Sequence, residues 1–140
     1  MATLFSRIIN GEIPGTFVWR DDQAVAFMSI APAATGHTLV VPVAEVDHWI
    51  DLPVELAGYL MQVAHWIGRA QKRAFNRARV GLIVAGLEVP HTHLHVIPMD
   101  GMSDLTLPPP PDNPDFEALA TAAASIRTEL RALKAPGVSD

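Results

Sequence analysis

The chain has 140 residues, 49% of them hydrophobic, a net charge of −5 and no cysteine. That length suits one domain whose core needs no covalent staple. The missing thiols exclude disulfides, thiolate metal sites and a cysteine nucleophile, and an acidic chain with no Lys/Arg cluster flanked by aromatics excludes a duplex-binding face.

The first stretch, "TLFSRIIN", predicts a short helix with Leu4, Phe5 and Ile8 toward one side, ended by "GEIP". "TFVWR" and "AVAFMSI" are rich in β-formers and read as a hairpin turned at Asp21 and Asp22. "APAATG" is a loop, and "HTLVVP" is a third strand closed by Pro42. Leu56, Leu60, Val63, Ile67, Ala70 and Ala74 then recur at spacings of three and four, which draws one apolar stripe along a long helix. Asp51 is its expected N-cap, with Pro53 just inside the start. Lys72, Arg73 and Arg77 fall near its C-terminal end, where the helix dipole favours cations. "RVGLIVAG" and "HTHLHVIP" read as a fourth and a fifth strand. From Ser103 the composition changes. "LPPPPDNP" can neither pair in a sheet nor form a helix, and an alanine-rich helix follows it. The expectation is a main domain over residues 1–102, then a Pro-rich connector and C-terminal helix over 103–140. Short connections favour antiparallel pairing. The fold class is therefore α+β, a sheet of about five antiparallel strands packed on the main helix, plus the C-terminal helix. No basic segment with an apolar run opens the chain, and no apolar run approaches ~18 residues, so a cytoplasmic protein with no membrane partner is expected.

Half of the six histidines stand on alternate residues, His91, His93 and His95. On a strand they share one face, roughly 6–7 Å apart, with Thr92, Leu94 and Val96 on the other, toward the helix. Imidazoles this close depress one another's pKa, so at neutral pH at least one carries a free lone pair while its neighbours donate. A neutral nucleophile beside N–H donors suits attack on an anionic phosphorus centre. Two alternatives stay open on the residues alone. The histidines pack as ordinary structure, or they ligate a metal, since His-x-His is good ligand spacing; against the metal, no nearby acid or thiol clearly supplies a fourth ligand, Glu88 being the one candidate.

The run His91-Thr92-His93-Leu94-His95-Val96-Ile97 resembles the signature of the histidine triad (HIT) superfamily, with Thr92 at a usually apolar position. The stretch "LFSRIINGEIPGTFVWRDDQAVAFMSIAPAATGHTLVVP" is similar to that family's N-terminal half. The resemblance covers about residues 3–100 and implies a HIT-like, nucleotide-binding fold, usually homodimeric, with hydrolase or transferase activity on nucleoside phosphoramidates, dinucleoside polyphosphates or related diesters. It implies His93 as nucleophile, His95 as donor to the phosphate, and His91 and His37 as groups that orient His93, a role that a main-chain carbonyl can also fill. It implies a base pocket at Phe5, Ile8, Phe27 and Ile30. No cofactor and no resident metal are implied, and the partner is a nucleotide or nucleotide conjugate rather than a nucleic acid. His48 and His65 match no site position and read as surface residues.

Three departures bear on substrate. Ser29 stands where many relatives hold the ribose with an acidic residue or Asn. Leu87 and Glu88 occupy a short loop before the triad, and Glu88 near a bound phosphate is repulsive if both are charged. Glu45 follows Pro42 where relatives often have His. These leave a second reading, a low-turnover nucleotide-binding module. A homodimer is expected through the main helix and a sheet edge, with Tyr59 and Trp66 as candidate anchors.

Overall fold

The computed structural model describes residues 2–140. Helix α1 spans Leu4–Ile9 and is followed by β1 (Phe17–Arg20), β2 (Ala24–Met28) and β3 (Thr38–Pro42). Helix α2 (Val54–Phe75), β4 (Arg79–Ile83), β5 (Leu94–Met99) and α3 (Phe116–Ala132) complete the order, with short 3-10 turns at Trp49–Asp51 and Met102–Leu105. The strands form one five-stranded antiparallel sheet in the order β1-β2-β3-β5-β4. This is the α+β architecture expected from the sequence.

The apolar stripe of α2 explains where the larger core lies. Leu60, Val63 and Ile67 are buried against Val40, Leu94 and Val96 of the sheet, and Ile126 and Leu130 of α3 join the same cluster. Truncating a side chain such as Leu60 to alanine costs about 2–5 kcal/mol, the transfer energy plus the cavity left behind. Because side chains alternate along a strand, Leu94 and Val96 facing α2 turn His95 to the opposite face. That face carries a second cluster of Phe5, Ile8, Val25, Phe27, Leu39 and Val41 beneath α1. Leu39 pairs directly with His95, which joins this cluster to the histidines.

The hairpin turn is held by Asp21. Its carboxylate accepts the Gln23 and Ala24 N–H groups (2.8 Å each), the Trp19 indole N–H (2.8 Å) and the Tyr59 hydroxyl. Tyr59 is thus turned inward toward Asp21, and Trp66 is half-buried against the core.

The start of α2 differs from expectation. Pro53 sits at the N-cap itself, and Asp51 lies in the preceding 3-10 turn. Leu52 precedes a proline and is therefore extended (φ −66°, ψ 145°), which separates Asp51 from the first helical turn. At the other end Asn76 closes the helix in the left-handed region (φ 49°), its N–H donating to the Lys72 carbonyl.

The two sheet edges are treated differently. Against β1, the C-terminal tail adds two main-chain bonds, Arg20 N–H to the Gly137 carbonyl (2.9 Å) and Ser139 N–H to the Val18 carbonyl (3.0 Å). Gly137 is needed there because a Cβ would enter the Trp19 ring. The outer edge of β4 has no strand beside it among the described residues.

Candidate active site

The fifth strand begins later than the alternation of histidines suggests. Its ladder starts at Leu94, and His91–His93 form the bend that leads into it. The main chain of this bend is tied to loops instead of strands. His91 N–H donates to the Val89 carbonyl (2.8 Å), and the Val46 carbonyl accepts both the N–H (2.7 Å) and the hydroxyl (2.8 Å) of Thr92. The segment after β3 therefore sets where the triad sits.

Fixed donors and acceptors assign each ring's proton. The His91 carbonyl can only accept, so His93 Nδ1 carries the proton and donates it (2.7 Å), leaving His93 Nε2 with an open lone pair. The Ala33 N–H can only donate, so His37 Nδ1 accepts (3.0 Å) and the His37 proton lies on Nε2. His37 Nε2–H then donates to His95 Nδ1 (2.9 Å), which leaves the His95 proton on Nε2. His91 donates Nε2–H to the Pro42 carbonyl (2.8 Å) and accepts at Nδ1 from the Thr3 hydroxyl (2.6 Å). His93 and His95 thus hold opposite tautomers with ring centroids 4.9 Å apart, one a base and the other a donor.

Burial favours the neutral form of His37, His93 and His95. Burial, and then the neighbouring His95 and His93, push the His37 pKa down to about 3. Burial and then His93 bring His95 to about 4. Burial also lowers His93, opposed by its bond to the His91 carbonyl and by the charge of Glu88. Each shift disfavours the imidazolium, the form that has no lone pair.

The histidines open into a cleft of about 310 Å³. Phe5, Ile8 and Phe27 line it, as do Ser29 and Ile30 at the end of β2 and Glu88 in the loop before the triad. Phe5 stands edge-on to both Phe27 (5.5 Å) and His93 (4.9 Å), so α1 meets the apolar wall and the His93 ring together. Ser29 is buried, its hydroxyl oxygen accepting the Ala31 N–H (3.2 Å), while Ile30 is 41% exposed at the mouth. A larger hollow of about 470 Å³ lies between α2 and β4. His65 is its one histidine and His48 is exposed elsewhere, so the hollow has no counterpart to the paired tautomers.

The structure brings His37, His93 and His95 to the cleft and places His91 wholly buried behind it. His37 bonds to His95 and not to His93. It is the main chain of His91 that holds the His93 ring, while the His91 imidazole braces the bend against Pro42. Sequence reasoning missed Thr3, whose hydroxyl oxygen caps α1 by accepting the Ser6 N–H (3.1 Å) while donating to His91. The N-cap signal of a threonine before an apolar run was the available clue. It also missed Leu107, Pro108, Pro110 and Phe116, which line the cleft from the connector and the start of α3. Among the described residues no group of three or more His, Asp or Glu is placed to hold a metal ion.

The model of the HIT domain matches residues 10–102. The chain belongs to the HIT family. This HIT protein is 37% identical over 99 residues to an uncharacterized HIT-like protein of Methanocaldococcus jannaschii, covering 68% of the chain and 77% of the relative. It is 32% identical over 131 residues to the adenosine 5′-monophosphoramidase of Saccharomyces cerevisiae, covering 92% and 83%. Among solved structures, a HIT-like protein involved in cell-cycle regulation from Bartonella henselae superposes with a TM-score of 0.78 at 31% identity, covering 91% of this chain and 95% of that one.

Proposed function

We propose that the chain is a nucleotidyl hydrolase or transferase that cleaves the bond to the α-phosphorus of nucleoside 5′-monophosphate conjugates through a covalent histidine intermediate. The observation that carries this is the pair of opposite tautomers. His93 Nε2 offers a lone pair, and His95 offers Nε2–H beside it. The yeast relative's name, an adenosine 5′-monophosphoramidase, supports the choice of reaction.

In this reading His93 Nε2 forms a bond to phosphorus while the bond to the leaving group breaks. The leaving group departs with the electron pair and takes a proton from water. The nucleotidylated ring bears a positive charge, which its Nδ1–H shares with the His91 carbonyl. The His95 donor stabilises charge on the phosphoryl oxygens. Water, or another acceptor, then attacks phosphorus and frees His93. Phe5, Ile8, Phe27 and Ile30 are proposed to hold the base and Ser29 to meet the ribose. Adenosine 5′-phosphoramidate mixed with enzyme and quenched early should give a protein mass increased by one adenylyl group. The same trap on His93→Ala should give none, and equal adducts in both would reject the assignment.

A second reading, a slow nucleotide-binding module, is favoured by one observation, the carboxylate of Glu88 in the cleft. Absence of product in a single turnover would select it.

The proposed assembly is a homodimer across β4 and α2, supported by the open β4 edge and by the exposure of Leu82 (40%) and Met61 (52%) beside it. Light scattering that returns only the single-chain mass of 15.1 kDa at micromolar concentration would reject it. Among the described residues no helix is long and apolar enough to cross a membrane. The cytoplasm is the proposed compartment, a reading supported by a sequence without cysteine.

A further inference from the structure

The cleft has two properties that the proposed reaction does not require. Among the described residues lining it there is no lysine or arginine, and Glu88 is the one carboxylate. In addition, large apolar side chains stand partly in solvent around the mouth, with Leu87 93%, Phe116 46% and Leu107 38% exposed. Pro108 and Pro110, between Leu107 and Phe116 in the chain, line the same cleft. Apart from Leu87, these residues lie beyond residues 10–102, where the HIT domain matches.

A polyphosphate chain carries several adjacent charges. Enzymes that bind one meet it with cations, since unscreened like charges in a half-buried site repel strongly. Among the described residues lining the cleft, the one fixed charge, Glu88, is of the same sign as the phosphate. The apolar rim has the opposite preference, because covering exposed leucine and phenylalanine removes apolar surface from water. With base, ribose and α-phosphate allocated to Phe5, Phe27, Ser29 and the histidines, a monophosphate conjugate has one part left to meet this rim, the group that departs.

We propose that Leu87, Leu107, Pro108, Pro110 and Phe116 form a subsite for an uncharged, apolar leaving group, so that the preferred substrates are nucleoside monophosphate conjugates of apolar amines and not dinucleoside polyphosphates. The proposal rests on the functional reading given above. It assigns the connector a part in specificity, since the Pro-rich segment presents a stiff wall whose backbone loses little entropy on meeting a ligand.

The test uses two adenosine phosphoramidates whose amines have the same basicity and differ only at the far end, phenyl in one and carboxylate in the other. Diadenosine triphosphate is the third probe. The wild-type chain should favour the phenyl conjugate over the carboxylate by at least about tenfold in kcat/KM, and over diadenosine triphosphate by about a hundredfold. Leu107→Lys combined with Phe116→Lys should reverse the first preference, a gain that an unfolded variant cannot give. A wild type that prefers the carboxylate or the triphosphate, or a double variant with unaltered preference, overturns the subsite. If instead neither phosphoramidate is cleaved by the wild type, the phosphoramidase reading itself falls, and the subsite falls with it.

Discussion

His93 and His95 are two residues apart, face one cleft and are each held through the same ring atom, Nδ1. Their partners differ in kind. The His91 carbonyl accepts from His93, whereas His37 donates to His95. One partner leaves a lone pair at Nε2 and the other leaves a proton there. The residue type sets what an imidazole can do, and the polarity of its partner decides which of those things it does. The two partners also differ in how replaceable they are. A main-chain carbonyl is fixed by the path of the bend, while the donor to His95 is a side chain on a neighbouring loop, whose orientation depends on Gly36. That glycine adopts φ 94° beside the Phe75 ring, where a Cβ has no room.

The largest effect is expected at His93. His93→Ala should lower kcat by at least ~10³-fold, a barrier increase of roughly 4 kcal/mol, because His37 and His95, the other histidines lining the cleft among the described residues, carry their protons on Nε2. Steady-state turnover of adenosine phosphoramidate near the wild-type rate would contradict this. On the donor side the loss should be smaller. His95→Ala removes one hydrogen bond to the developing charge and should cost about 10²-fold in kcat. His37→Ala leaves His95 in place but frees its tautomer, so its cost should be roughly tenfold. A His37→Ala variant as impaired as His95→Ala would mean that His37 itself meets the substrate.

The pH profile sharpens the same contrast. In the proposed reaction His93 must be neutral to attack, and its pKa lies below the ordinary 6.5 because the ring is buried. Its kcat/KM should therefore be level at neutral pH and fall only on the acid side, below 6.5. Stability should follow a related course. Folded His37 titrates near 3 and an unfolded histidine near 6.5, so the unfolded chain binds more protons between those values. The His37 contribution is whole above the upper value and is lost as pH falls through that window. An activity limb centred above pH 7 would require a charged or differently bonded His93.

Much of this was legible in the sequence where a period or a special residue carries the signal. The stripe from Leu56 to Ala74 gave α2, the Asp21–Asp22 turn gave the hairpin, and the alternate histidines pointed to the candidate site. Other features depended on distant main-chain groups. Alternation cannot show that His91–His93 precede the ladder, because the Val46 carbonyl that holds Thr92 arrives from another loop. The tautomers depend on Ala33, Pro42 and Thr3 in the same way. Asp51 had the right residue type for a cap, yet proline's effect on Leu52 outweighed it. The connector showed no period, so its wall on the cleft, from Leu107 to Phe116, left no trace in the pattern.

The opposed tautomers can be read directly. A two-bond proton–nitrogen correlation spectrum of the 15N-histidine-labelled protein at pH 7 distinguishes a protonated ring nitrogen from a bare one. His93→Gln and His95→Gln samples assign the two rings. Both rings should be neutral, with the proton on Nδ1 in His93 and on Nε2 in His95. A His93 ring protonated at Nε2, or one that is cationic at that pH, would contradict it.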